Sequence, residues 1–203
     1  MSHEIYTTDA LVLSSYQKGE TASVLALFTK DFGLVYAHAD GLRKMESKLR
    51  PALQNHSYAQ VSLVRGREVW RVVNAQEKDY LSGVRADSGK RSVFVQTLAL
   101  IKRFLGQEEP HTELFNDTVL AFEFLNALPL KKEELSRFEL LLVLRILSSL
   151  GYLKEDLETR HESIPFKSVL GFSRWERENL DSLLGKEKEC ILAVNESFQA
   201  SGL

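Results

Sequence analysis

Gly41-Leu42-Arg43-Lys44-Met45-Glu46-Ser47-Lys48-Leu49-Arg50-Pro51-Ala52-Leu53-Gln54 puts four cations and one anion into a single connection between two alternating apolar runs. Ser47 as an N-cap, with Leu49 and Leu53 at i and i+4, predicts a flexible loop leading into a short amphipathic helix over Ser47–Gln54. Taken alone, the stretch also reads as an ordinary solvated charge run, because short basic segments match weakly. What flanks it decides between the two readings.

Upstream, Thr8–Tyr16 is β-rich, and Gln17-Lys18-Gly19-Glu20 follows as a tight turn. Thr21–Thr29 alternates Ser23, Leu25, Leu27 and Thr29 against Ala22, Val24, Ala26 and Phe28, and Lys30-Asp31-Phe32-Gly33 turns the chain into Leu34–Ala39. Downstream, Tyr58–Val64 and Glu68–Val73 form two more strands around Arg65-Gly66-Arg67. Three strands, a short helix and two strands within some eighty residues fit a five-stranded Greek-key barrel of the OB type. An SH3-like barrel is the competitor, and the helix expected at Ser47–Gln54 favours the OB reading because it would plug one open end.

After Leu81-Ser82-Gly83 the apolar period changes from 2 to 3.6 and stays there. Helices are predicted over Ser88–Gly106, with Val93, Leu98, Ile101 and Leu105 on one face and Gly106 as C-cap, and over Thr112–Leu128, closed by Pro129. Lys132–Leu150 is apolar enough from Phe138 onward to be central, and Gly151 ends it. Ser173–Leu184, with Ser173 as N-cap, and Lys186–Gln199 complete the set, while Lys154–Val169 reads as an ordered loop at best. The fold class is therefore α+β in two domains: an OB-fold barrel over residues 1–82 and an all-α helical domain over 83–203.

The chain has 203 residues, a net charge of −2 and a single cysteine. The near-neutral balance conceals an uneven distribution. Residues 1–40 carry two lysines against five acids, whereas 41–71 carry seven cations (Arg43, Lys44, Lys48, Arg50, Arg65, Arg67, Arg71) against Glu46 and Glu68. The lone Cys190 excludes an intramolecular disulfide and a cysteine-based zinc site, and its neighbours Ile191 and Leu192 point to a buried thiol in a reducing compartment. The N-terminus has no signal-like segment, and the richest apolar run, Leu140–Leu147, is broken by Arg145. A soluble cytoplasmic protein is expected.

Most chemistry has no foothold. No glycine-rich phosphate loop occurs, and His3, His38, His56, His111 and His161 fall in different elements, whereas a metal needs three or four converging donors. No nucleophile motif is present, and Glu133/Glu134 and Glu176/Glu178 sit in helix first turns, where the dipole favours them. No catalytic residue, metal or cofactor is expected. What remains is a cationic strip on a small barrel carrying Tyr16, Phe32, Tyr36, His38, Tyr58 and Trp70. Single-stranded nucleic acid is bound by such a combination: cations neutralise phosphates, and aromatic faces stack bases at about 1–3 kcal/mol each. Tyr36 and Trp70 are the aromatic candidates, although a small barrel also fills its interior with such residues.

With both halves laid out, the chain resembles the RecO family of bacterial recombination mediators. The resemblance rests on Ala10–Leu13, Tyr16, Gly19-Glu20-Thr21, Leu27-Phe28-Thr29 with Gly33, Ala39–Lys44, Ser47–Arg50 and Ala52-Leu53-Gln54. In the helical half it rests on Arg137–Leu140 and the ending Ser149-Leu150-Gly151-Tyr152; the match is dense over 8–80, patchy over 88–153 and weak beyond.

The resemblance implies binding of single- and double-stranded DNA without sequence preference, and annealing of complementary strands. It also implies partnership with RecR and with the acidic tail of single-stranded DNA-binding protein, so that RecA is loaded. Arg43, Lys44, Lys48 and Arg50 match the family's basic loop, and charge clustering adds Arg65, Arg67 and Arg71 as phosphate contacts. Lys102, Arg103, Lys131, Lys132 and Arg137 are candidate cations for the acidic tail. Two departures stand out: Lys154–Val169 lacks the four zinc-site cysteines of many relatives, so no zinc is expected there, and the chain is short for the family. The rival reading is a protein-interaction adaptor whose barrel binds a partner and whose basic loop is merely solvated.

Overall fold

Alternating side chains build five strands: β1 (Ile5–Lys18), β2 (Ala22–Thr29), β3 (Gly33–Ala39), β4 (Tyr58–Arg65) and β5 (Trp70–Glu77). The computed structural model describes residues 4–67, 69–78, 81–106, 108–153, 170 and 174–201. The strands close into a barrel in the order β1-β2-β3-β5-β4, with β4 returning to β1. Every neighbouring pair is antiparallel except β3 with β5, which run parallel. This is the expected OB-type barrel followed by helices.

β1 is long enough to serve two neighbours. Ile5–Leu11 pairs with β4 and Ala10–Lys18 with β2, and an irregularity between Val12 and Ser14 bends the strand where it changes partner. The barrel interior is filled by Leu25, Leu27, Val35, Val61, Leu63, Trp70 and Val72, together with the small side chains Ala10, Ala37, Ala39 and Ala59. Five strands enclose little volume, and alanines where strands crowd keep it filled without strain.

The predicted helix over Ser47–Gln54 does not form; residues 48–53 are a series of turns. Pro51 is the reason: it has no N–H for a helical bond to Ser47, and it biases Arg50 away from the helical region. Hydrogen bonds from Lys44 N–H to Gly41 O, Ser47 N–H to Lys44 O, Arg50 N–H to Ser47 O and Leu53 N–H to Leu49 O (3.1–3.3 Å) hold the connection instead. The plugging role survives the change of backbone. Leu42, Ala52 and Leu53 join the barrel core and Leu49 packs against it.

Two compact units are formed, one from Met1–Tyr80 with Leu98–Phe115, the other from Leu81–Thr97 with Asn116–Leu203. In the first, the stretch 98–115 lies over the outer side of β1–β3. Phe115 meets Phe28 edge to face at 5.2 Å, Glu108 N–H donates to Leu34 O at 3.0 Å, and Lys102 Nζ donates to Ser14 Oγ at 2.7 Å. The fit is close at Gly33, whose φ is +68° and where a Cβ would stand 1.9 Å from the Glu109 carbonyl oxygen. Only glycine closes the β2–β3 turn at that distance.

The helices are α1 (Ser82–Ala86), α2 (Ser88–Phe104), α3 (Thr112–Ala127), α4 (Lys132–Ser149), α5 (Arg177–Asp181) and α6 (Glu187–Ser201). α2, α3, α4 and α6 agree with the periodicity to within two residues at each end. Gly106 is not among the glycines of positive φ, so it is no left-handed cap for α2. Asp87 Oδ1 accepts the N–H groups of Gly89 and Lys90 at the start of α2, and Glu134 accepts the Lys131 N–H at the start of α4. α4 is the centre of its unit, with Phe138, Leu141, Leu142, Leu144, Ile146 and Leu147 all buried. The predicted loop Lys154–Val169 and the cap Ser173 lie outside the described residues.

In the helical unit several cations are used internally. Arg145, 4% exposed at its side chain, donates to Asp117 at 2.8 Å and lies over the Trp175 ring at 4.3 Å, while Trp175 Nε1 donates to the same carboxylate at 2.9 Å. Lys90 Nζ donates to Leu128 O at 2.6 Å, at the end of α3, and Arg177 pairs with Glu134. Cys190 is fully buried in α6, and burial pushes its thiol up to about 11, which leaves it unreactive.

Candidate nucleic-acid interface

The plug connection is two-sided. Its leucines and Ala52 face the barrel core, and Arg43, Lys44, Met45, Glu46, Lys48 and Arg50 are exposed, with Met45 at 88% exposure. The spacing explains this: Leu42, Leu49, Ala52 and Leu53 seat the chain at both ends of the charged stretch, so the residues between them project outward. Arg43 ties the connection to the β1–β2 turn, its backbone N–H donating to Thr21 O at 3.0 Å and its guanidinium to Gly19 O at 3.2 Å. Among the described residues, Arg43, Lys44, Lys48 and Arg50 have no carboxylate partner within 4.0 Å, so their charge is directed at solvent.

A cleft of about 480 Å³ opens between this connection and the first two strands. Arg43, Arg50, Gln54 and Asn55 come from the connection, with Leu42 and Leu53, and Ser15 and Ser23 from β1 and β2. Among the described residues, no carboxylate lines it. Asn55 precedes His56, whose φ is +65° and whose imidazole burial holds below its ordinary value.

The other predicted residues separate into distinct groups. Arg67 and Arg71 are exposed, and Arg71 lies on a row that crosses four strands, from Tyr16 through Val24 and His38. Lys18 Nζ stands 3.3 Å from His38 Nε2 on the same side. Arg65 is spoken for: its guanidinium pairs with Glu108 at 2.9 Å and covers the Trp70 ring at 5.3 Å.

Trp70 is corrected outright as a stacking platform. It is 4% exposed, packed edge-on against Tyr6 and tilted against Phe32, with Nε1 donating to Glu108 at 3.2 Å. Its parity on β5 points it inward with Val72, so no base reaches its face. Tyr36 is half-buried on the outer side, where Val24, Ala26, Phe28 and Leu34 are closed off. Tyr16, 59% exposed beside the β1–β2 turn, is the open aromatic that the sequence reading passed over.

The outer face of β2 and β3 is one surface on which OB barrels take oligonucleotides. Here much of it is covered by the chain's own 98–115 segment, and the cationic plug end is open. Of the cations proposed for an acidic peptide, Lys102 is engaged with Ser14, and Arg137, 11% exposed at its side chain, pairs with Glu187 at 3.6 Å. Neither is available as a surface cation, because each is already drawn into its own unit. Arg103, Lys131 and Lys132 are exposed.

Among the described residues, no group of three or more His, Cys, Asp or Glu is placed to hold a metal, and no helix is long and apolar enough to cross a membrane. The barrel, its cation-bearing plug and the helices after it define an OB-barrel protein with a cationic end.

The particular family follows from comparison with known proteins. The family described as Recombination protein O N terminal matches residues 1–79. The DNA repair protein RecO of Alkaliphilus metalliredigens is 31% identical over 109 residues, 54% of this chain and 44% of the relative. That of Clostridium novyi is 30% identical over 149 residues, 73% of this chain and 57% of the relative. That of Thermodesulfovibrio yellowstonii is 27% identical over 155 residues, covering 74% and 59%. Residues 1–79 carry the N-terminal domain of the RecO family, and the chain spans about half the length of the curated relatives it matches.

Proposed function

We propose that the protein acts in DNA repair and recombination as a mediator that binds single- and double-stranded DNA and anneals complementary strands. Together with RecR it helps load RecA onto DNA coated by single-stranded DNA-binding protein. The observation that carries this reading is the set of four exposed cations on the outer side of the plug connection, none of which has a carboxylate partner among the described residues. An exposed cation with no carboxylate partner contributes little to folding and remains free to displace counterions from phosphate. Arg71 and the separately placed Arg67 are further exposed cations, Arg65 contributes less because Glu108 already neutralises it, and Tyr16 offers the stacking face.

These contacts hold the backbone and read no bases, so binding is independent of sequence and weakens as salt rises. Annealing then needs no catalytic group, only two strands held close with their charge screened. On the helical unit Lys131 and Lys132 are exposed cations open to the acidic tail of the partner, and Arg103 is a separate candidate on the barrel unit. The relatives carry the name DNA repair protein RecO, which supports the assignment. The test is annealing of complementary oligonucleotides by the protein and by the Arg43→Ala/Lys44→Ala/Lys48→Ala/Arg50→Ala variant. The variant loses annealing while its melting temperature is unchanged; full annealing by a folded variant contradicts the proposal.

A further inference from the structure

We propose that the cleft between the plug connection and β1–β2 seats one nucleotide of a single strand, so that a single strand is held more tightly than a duplex of equal length. This rests on the nucleic-acid reading above and adds a ligand class to one part of that surface.

Three observations converge on it. First, the charged groups of the cleft are both cations, Arg43 and Arg50, and among the described residues no carboxylate lines it, so it favours an anion. Second, the rest of its polar lining is neutral: Ser15, Ser23, Gln54 and Asn55 offer hydroxyls and amides, which suit sugar and base edges as well as phosphate oxygens. Third, its volume of about 480 Å³ falls in the range of small-ligand sites and is that of a nucleotide-sized guest.

The cleft is also prepared in advance. Arg43 is tethered to Gly19 O, and Ser57 Oγ lies 2.7 and 2.8 Å from the carbonyl oxygens of Ala52 and Gln54, which fixes the backbone on either side of the amides. Leu42 and Leu53 are anchored in the barrel core, so the floor does not collapse when the cleft is empty. A preorganised anion seat loses little freedom on binding.

Strand selectivity follows from what each ligand can insert. A single strand presents unpaired nucleotides that enter without further cost, whereas a duplex must first unstack and unpair a base. A duplex thus reaches the exposed Lys44 and Lys48 with its backbone and leaves the cleft unused.

The experiment measures anisotropy of a fluorescein-labelled 15-nucleotide oligothymidine and of a labelled 15-base-pair duplex at fixed salt. The filling variant Ser15→Ile/Asn55→Leu replaces two exposed polar residues of the lining. Single-strand affinity falls about tenfold and duplex affinity stays within about twofold. Thymidine monophosphate competes with the single strand against the wild-type protein, and inorganic phosphate at the same concentration does not. Equal losses on both probes, no loss on either, or competition by inorganic phosphate equal to that of the nucleotide overturns the proposal. If the filling variant binds like wild type while the four-alanine variant loses both probes, the cleft assignment fails and the wider nucleic-acid reading stands.

Discussion

The plug connection of the barrel unit and four cations of the helical unit use the same residue types in opposite ways. In the helical unit Arg145 meets Asp117, Arg137 meets Glu187, Arg177 meets Glu134 and the Lys90 ammonium meets a helix-end carbonyl. On the plug connection of the barrel, Lys44, Lys48 and Arg50 meet no acid among the described residues, and Arg43 meets only a carbonyl. A cation drawn into the fold supports it, and a cation left outside is free for an external anion. The contrast singles out the plug connection more sharply than net charge, which nearly cancels over the whole chain.

Breaking the paired side produces the largest expected effects on stability. Arg145→Ala leaves the Asp117 carboxylate half-enclosed with its charged partner gone and removes the cation over Trp175. Urea unfolding is expected to show a loss of about 3–5 kcal/mol, with DNA affinity per folded molecule unchanged. A loss below about 1 kcal/mol means that the pair is as dispensable as a surface bridge.

Gly33→Ala attacks the barrel unit where its own segment presses on it. The positive φ and the Glu109 carbonyl at 1.9 Å from any Cβ predict a loss of about 2–3 kcal/mol in the same assay. Lys44→Ala is the counterpart from the exposed side. Stability stays within about 0.5 kcal/mol, while the salt dependence of single-strand binding becomes shallower by about 0.7 in log–log slope. A larger stability loss would give Lys44 a structural role and blur the contrast.

The smallest effect concerns pH. The Lys131 N–H bonded to Glu134 holds that carboxyl below its ordinary range, partial loss of solvent works against this, and the Arg177 guanidinium adds to the lowering. A carboxyl with a depressed value in the folded state binds fewer protons folded than unfolded, so its contribution is present above the unfolded value and lost as pH falls through the folded one. Glu134→Gln therefore flattens the acid limb of a stability–pH curve and leaves the neutral region with a constant offset. A parallel curve displaced at every pH shows that the carboxyl's titration plays no part.

The individual strands and the helical half were legible because each depends on local periodicity. The alternation of Thr21–Thr29 and the 3.6-residue pattern of Ser88–Leu150 name their own buried faces. The helix expected at Ser47–Gln54 failed on one residue, since capping and apolar spacing agreed while Pro51 opposed them. Trp70 was misread although its parity with Val72, against the exposed Arg71, was available on the same strand. The cleft was not legible, because its lining comes from positions 15, 23 and 42–55, which only barrel closure brings together. The same holds for Asp117, Arg145 and Trp175, which are about thirty positions apart in sequence and meet through helix packing.

The most direct test of the account is the salt dependence of oligothymidine binding by the wild-type protein and by the Arg43→Ala/Lys44→Ala/Lys48→Ala/Arg50→Ala variant. With about 0.7 of slope released per phosphate contact on a single strand, the variant's log K against log salt should be shallower by about 3. An unchanged slope in a variant that still folds would show that the exposed cations of the plug connection do not hold nucleic acid.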